Sequence, residues 1–222
     1  MSTYPMPQDD AALKKEEQVL EGQVAHEGQH EAHEETATGL DNKKVAMWLF
    51  LASECMLFGA LLGAYLIYAG QSLVGPYPAD LFDMVLTTIF TFVLLMSSLA
   101  VALAVQAASK GDQAGVKRWL LATVILGISF LGFQFYEYSH FMHEGLFLST
   151  NLFGTTFYLL TGFHGVHVAI GVTWLFSLWL TALRGDTKRA NATNVEIAGL
   201  YWHFVDIVWI VIFGVVYLMA GA

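Results

Sequence analysis

The sequence predicts an all-α, polytopic membrane protein whose five transmembrane helices form a bundle. Of its 222 residues, 56% are hydrophobic and 13% are charged, a composition that does not fit an ordinary water-soluble domain. Five apolar runs are long enough to cross a hydrocarbon core, which takes about 20 helical residues. Turn-forming residues separate them. The predicted spans, in one domain over residues 43–222, are about 45–70, 81–108, 119–139, 152–183 and 197–220.

The first 42 residues have a different character. They contain ten acidic residues against Lys14 and Lys15, so they account for most of the formal charge of −9. With few large apolar side chains they cannot bury enough surface to fold, and we expect a flexible, acidic, histidine-containing tail. The tail contains three closely spaced histidines, His26, His30 and His33. Their spacing is compatible with a metal site, although polar tails often contain such runs by composition alone.

Glu54 is the notable residue of the first span. A charged carboxylate at the bilayer centre costs about 2.5–3.5 kcal/mol on insertion scales, so embedded acids usually face protein or water. We expect Glu54 to hold a proton or share one with a neighbour. Phe58, Leu61 and Tyr65 follow on the same helical face.

Small residues in the first two spans are spaced for close helix packing. Gly59 and Gly63 lie four positions apart in the first span, and Ala100 and Ala104 do so in the second. These pairs predict that neighbouring helices approach closely at both places.

The third span ends with Glu137 and His140, a Glu-x2-His pair. Bundled di-iron proteins need two such pairs and two further glutamates at one level. Only one embedded pair is present, so a di-metal site is disfavoured and Glu137 is interpreted as an embedded polar residue.

The fourth span carries His164 and His167 on one side of the helix, with Gly162 and Gly165 beside them. The glycines would let a neighbouring helix come close to this polar position. In the fifth span His203 and Asp206 share a face, and Asp206 is the expected partner of His203.

Depth along the spans suggests that embedded groups from three helices meet. Glu54 and Asp206 lie at similar depths, and His167 reaches the same half of the membrane. One hydrogen-bonded cluster of Glu54, His167, His203 and Asp206 is therefore predicted. Such a cluster can serve packing alone, or it can relay protons.

All ten cationic residues agree with one orientation, because Lys and Arg near span ends are retained on the cytoplasmic side. They precede the first span or lie in the second and fourth loops. We expect the N-terminus inside and the C-terminus outside. The cations are Lys14, Lys15, Lys43, Lys44, Lys110, Lys117, Arg118, Arg184, Lys188 and Arg189.

Four motifs, in order, resemble subunit III of the haem-copper respiratory oxidases. They are Ser53-Glu54, residues 134–138 (QFYEY, containing Glu137), residues 161–168 (TGFHGVHV) and residues 201–209 (YWHFVDIVW). The resemblance extends over residues 45–220. The last two motifs are the most specific.

This resemblance implies a non-catalytic subunit of a proton-pumping, oxygen-reducing complex in aerobic electron transport. Such subunits hold no redox centre or metal; haem and copper lie in partner subunits. The implied partners are catalytic subunit I, by direct packing, subunit II and phospholipids, but no nucleic acid. Glu54 matches the family's carbodiimide-reactive glutamate, and the other matching embedded polar positions are His164, His167, His203 and Asp206.

The chain is similar to the short, five-helix bacterial form, located in the plasma membrane. It lacks the first two helices of the long form, which build one wall of the lipid cleft there. Thr161 to His164 are closer to the cytochrome c oxidases, whereas the tail and residues 216–219 are closer to the quinol oxidases. Cytochrome c oxidase is the predicted type, with quinol oxidase as the alternative.

Two hypotheses of other classes remain open at this point. A self-sufficient b-type cytochrome would use histidines such as His164 and His203 as axial haem ligands. A small proton-coupled transporter would be built around Glu54. The single cysteine, Cys55, excludes an internal disulfide and a cysteine-based metal site.

Overall fold

A computed structural model describes residues 41–72, 75, 82–185 and 191–218. The helices are α1 (Asn42–Tyr68), α2 (Met84–Ser109), α3 (Gln113–His143), α4 (Leu152–Leu183) and α5 (Ala192–Ile212), which a π-helical segment (Phe213–Leu218) continues. All five are long and apolar enough to cross a membrane, which confirms the predicted fold class. The predicted tail, with its three histidines, lies outside the described residues.

The observed helices extend beyond the apolar runs at several ends. Helix α4 has the predicted bounds, but α3 begins at residue 113 instead of 119 and α5 at 192 instead of 197. Capping side chains set these earlier starts, since Asp112 accepts a hydrogen bond from the Gly115 amide and Asn191 from the Asn194 amide. Apolar runs mark the hydrocarbon-crossing part of a helix, not its polar ends.

Two of the helices end at glycine residues in the turns predicted between the spans. Gly111 after α2 and Gly145 after α3 have φ angles of +73° and +85°, a left-handed conformation that favours glycine. At both ends the amide of the following residue bonds back to the helix, Asp112 to the Ala107 carbonyl and Leu146 to the Phe141 carbonyl. These hydrogen bonds satisfy carbonyl groups that the helix leaves free.

Helices α2, α3, α4 and α5 form a closed arrangement in which α2 and α4 each contact both α3 and α5. Ala100 and Ala104 of α2 are buried, which confirms the packing predicted for them. The indole of Trp202 fills the interior, and a Cβ atom at Gly171 would come within 2.8 Å of it. Its Nε1 donates to Ser97 Oγ over 2.9 Å.

The chain divides into Met1–Ala46 and Met47–Ala222. In the first unit the structure describes the start of α1, where Asp41 caps the Lys43 amide at 2.9 Å.

In the second unit, the rest of α1 packs on α4 and α5 through a stripe at heptad spacing: Leu51, Phe58 and Tyr65. The packing predicted for Gly59 and Gly63 is wrong. Among the described residues nothing lies within 4 Å of a Cβ built at either glycine.

Candidate functional site

Glu54 and His167 form a pair that joins α1 to α4. The Glu54 Oε2 atom lies 3.1 Å from His167 Nε2, and the two side chains are 15% and 12% exposed. Glu54 occupies the α1 stripe between Leu51 and Phe58, the face that packs on α4. The pair is therefore at a helix contact, neither sealed in the interior nor fully open.

The hydrogen bond made by the second ring nitrogen of His167 indicates how many protons the pair holds. His167 Nδ1 lies 2.7 Å from the backbone carbonyl oxygen of Phe163. A carbonyl oxygen only accepts hydrogen bonds, so Nδ1 carries a hydrogen. The contact between Nε2 and Oε2 then requires one further proton, held either by the carboxyl or by the ring. In both cases the pair has no net charge.

Two aromatic residues hold the His167 side of this pair. Phe58 packs edge-on against the imidazole, with ring centroids 5.0 Å apart. Tyr201 of α5 donates from its hydroxyl to the His167 backbone carbonyl at 3.0 Å. Helix α1 therefore contacts the ring, and α5 holds the backbone that carries it.

His164 points to the interior, in different surroundings from His167. Its ring is fully buried and stacks on Trp209, with centroids 5.0 Å apart, and Phe130 lies edge-on at 6.0 Å. Neither ring nitrogen has a hydrogen-bond partner among the described residues. The expected close approach occurs at the next position, where Gln134 lies within 2.6 Å of a Cβ built at Gly165.

His203 and Asp206 do not pair with each other. His203 Nδ1 lies 2.6 Å from Ser98 Oγ on α2. Asp206 is buried, and neither of its carboxyl oxygens has a hydrogen-bond partner in the described part of the chain. The prediction of one cluster of four side chains is therefore wrong in its extent, because only Glu54 and His167 are joined. Residues that share a helix face still diverge when a neighbouring helix offers one of them a partner.

Glu137 belongs to a separate polar group near the end of α3. The Tyr217 hydroxyl donates to its carboxyl at 2.9 Å, and Thr87 Oγ1 lies 3.5 Å away. His140, its partner in the Glu-x2-His motif, is exposed and stacks on Tyr136. Within the described ranges no three potential metal ligands converge.

Gln134 lies in a directed chain of hydrogen bonds between α3 and α4. Its Nε2 donates to the Tyr138 hydroxyl at 3.2 Å and to the Thr161 carbonyl at 2.8 Å. The Tyr138 hydroxyl and Thr161 Oγ1 are 2.7 Å apart, and Thr161 donates onward to the Phe157 carbonyl.

Sequence reasoning missed several polar partners because Ser, Thr and Tyr are common in apolar helices. For Tyr217, its place near the end of a span was the one available signal. The missed partners are Thr87, Ser98, Tyr138, Thr161 and Tyr217.

The fold and this site define a multi-pass helical membrane protein with ionisable groups held between helices at mid-span. A family model described as cytochrome c oxidase subunit III matches residues 18–221. The chain belongs to the cytochrome c oxidase subunit III family. It is a plasma-membrane protein and subunit III of a haem-copper terminal oxidase, either a cytochrome c oxidase or a quinol oxidase.

Relatives of both oxidase types are similar to the chain. Cytochrome c oxidase subunit 3 of Alkalihalophilus pseudofirmus is 42% identical over 179 residues, which are 80% of this chain and 87% of that protein. Cytochrome c oxidase subunit 3 of Bacillus subtilis is 37% identical over 179 residues, covering 80% and 86%. Quinol oxidase subunit 3 of the same organism is 37% identical over 175 residues, covering 79% and 86%. The two Bacillus subtilis proteins are equally identical to the chain, so these relatives do not distinguish the electron donor.

Proposed function

We propose that this chain is the non-catalytic subunit III of a proton-pumping cytochrome c oxidase. In this proposal it stabilises the catalytic subunit, holds phospholipid and supports proton uptake. The observation that carries the proposal is the Glu54–His167 pair, in which a carboxyl and an imidazole are in contact at 3.1 Å at mid-span. An uncharged pair of this kind is affordable in a membrane, yet it retains acid–base chemistry.

The packing around the histidines supports placing haem and copper in partner subunits. An axial haem ligand needs an open ring nitrogen facing a flat cavity large enough for the macrocycle. Trp209 stacks on the face of His164, and Phe130 lies against it at 6.0 Å. His203 directs Nδ1 to Ser98. Subunits I and II are the partners that the proposal assigns to the redox centres.

A shallow groove on α4 supports the lipid-binding part of the proposal. It has a volume of about 570 Å³ and runs along one face of the helix, starting next to His167. The lining is mostly apolar, which suits an acyl chain: Val166, Ala169, Ile170, Thr173, Trp174 and Ser177.

The test is purification of the tagged chain in mild detergent, with mass spectrometry, phospholipid analysis and reduced-minus-oxidised spectra before and after dissociation. We expect a large haem-containing subunit to co-purify and the haem spectrum to leave with it. Haem that stays with the isolated chain would overturn the assignment in favour of a b-type cytochrome. Loss of phospholipid from the intact complex during mild purification, without loss of activity, would contradict the lipid role.

The electron donor is tested on the same complex. We expect oxygen consumption with reduced cytochrome c and little with a short-chain quinol. The reverse preference would make the chain subunit III of a quinol oxidase, a type that is also found among its relatives.

A further inference from the structure

Two ionisable side chains inside the α2–α5 arrangement have no hydrogen bond to any described residue, although Ser98 lies near one of them, Asp206. His164 and Asp206 are 0% and 3% exposed, and neither ring nitrogen nor carboxyl oxygen has a hydrogen bond within the described residues. Burying such groups unpaired is costly, and native proteins satisfy nearly all of them with protein groups or ordered water. Both side chains therefore indicate a bound polar ligand.

The packing of α4 on α5 brings the two side chains within about one helical turn of each other. The His164 ring stacks on Trp209, and seven positions further along α4 a Cβ at Gly171 would meet Trp202. Positions 164–171 of α4 therefore face positions 202–209 of α5 in antiparallel order. Asp206 lies between the two tryptophans on the same face of α5.

The remaining walls are aromatic or already engaged. Phe130 of α3 packs edge-on against both His164 and Trp209, with centroids 6.0 Å and 4.8 Å away. Ser98 of α2 is near enough to interact with the Asp206 carboxyl, although not in hydrogen-bond geometry, and its hydroxyl is 2.6 Å from His203 Nδ1. Two ionisable side chains are too few to enclose a metal ion, whereas a buried water needs only two to four polar partners.

We propose that bound water bridges His164 and Asp206 in the interior of the helix arrangement. Water can donate to the carboxyl and to an unprotonated ring nitrogen, and it can accept from a protonated one. The site is distinct from the Glu54–His167 pair. Phe58 lies between the two sites, with its ring centroid 6.4 Å from His164 and 5.0 Å from His167.

The direct test is cryo-electron microscopy of the assembled oxidase at a resolution that shows ordered water. We expect density at about 2.7–3.2 Å from a His164 nitrogen and an Asp206 oxygen, bridging them directly or through a second water. A direct bond between the side chains, a partner-chain group in this place, or the lack of any density there would overturn the proposal. This test uses the wild-type complex, so it does not depend on a variant that folds.

A double-mutant cycle tests whether the two groups act as one unit. The variants are His164→Leu, Asp206→Leu and both together, and the readout is the thermal unfolding temperature of the purified complex. Each single change removes one side of the bridge and leaves the other polar group unpaired. The unfolding temperature of the double variant should therefore fall by clearly less than the sum of the two single decreases. Additive losses would contradict a shared site.

The matched control for the cycle is Thr123→Val. Thr123 is also fully buried, but its hydroxyl bonds within its own helix, to the Trp119 carbonyl. Combined with Asp206→Leu, it should give additive losses. If the leucine variants do not assemble, the density test on the wild-type complex still decides the proposal, because it needs no substitution.

Discussion

The Glu54 carboxyl and the His167 imidazole meet at 3.1 Å between α1 and α4, and the Phe163 carbonyl holds the opposite ring nitrogen at 2.7 Å. This arrangement assigns one proton to the contact and leaves the pair without net charge. It explains how a carboxyl group is kept at mid-span, where an isolated charge would be costly.

Replacing Glu54 by Gln should separate packing from proton exchange. The amide can donate to His167 Nε2, so the contact between α1 and α4 is kept and the oxidase should assemble at wild-type levels. The amide cannot take up or release a proton, so we expect lower turnover, or activity that declines faster during continuous oxygen reduction. The measurements are the haem content of the purified complex and oxygen consumption over time.

Glu54→Leu and Met56→Leu are the matched comparisons. The first leaves Nε2 of His167 unpaired at a cost of about 1–3 kcal/mol, so its complex should be less stable than that of Glu54→Gln. The second changes an exposed apolar side chain on the same helix and should have little effect. If Glu54→Gln did not assemble, the pair would be needed for packing itself.

Gly165→Ala should destabilise the contact between α3 and α4. A Cβ atom there would lie 2.6–2.9 Å from three atoms of the Gln134 amide. Hydrogen bonds to the Thr161 carbonyl and the Tyr138 hydroxyl hold that amide, so it cannot move away freely. We expect a loss of about 1–3 kcal/mol, typical of overpacking, seen as a lower unfolding temperature of the complex.

Gly162→Ala is the control for that change, because Gly162 lies on the same helix, three positions before Gly165. A Cβ at Gly162 would meet only the Tyr138 hydroxyl, at 3.7 Å, an ordinary contact. It should be tolerated, and equal effects of the two alanines would show that the Gln134 contact does not decide the outcome.

The apolar pattern was sufficient to predict the helices, whereas the polar contacts required the packing. Glu54, Phe58 and Tyr65 share a face by spacing alone, and the structure confirms this face. The same reasoning paired His203 with Asp206, but the histidine instead forms a hydrogen bond with Ser98 on another helix. Spacing within one helix determines which residues share a side, but not which neighbouring helix supplies the partner.

Tyr217→Phe should weaken the attachment of the π-helical segment to α3. The hydroxyl donates to buried Glu137 at 2.9 Å, and its loss leaves a carboxyl oxygen without its principal partner. We expect a loss of about 1–3 kcal/mol in stability. The measurement is the thermal unfolding temperature of the complex, with the exposed Tyr136→Phe as control.

Adding Glu137→Leu to Tyr217→Phe should recover part of this loss. Removing both partners leaves no unpaired buried group, and such double replacements can be nearly neutral. A double variant less stable than both single variants would mean that Glu137 has a structural role beyond this hydrogen bond.

Thiol labelling tests the orientation predicted from the cations, with the N-terminus inside. Cys55 is first replaced by Ala. A single cysteine is then placed at one of two exposed positions: Ser149→Cys, between α3 and α4, or Gln113→Cys, at the start of α3. Lys110, Lys117 and Arg118 surround Gln113, and such cations are retained on the cytoplasmic side. A membrane-impermeant maleimide should therefore label Ser149→Cys in intact cells and label Gln113→Cys only after lysis. The opposite labelling pattern would show that the N-terminus lies outside, and it would contradict the orientation predicted from the cations.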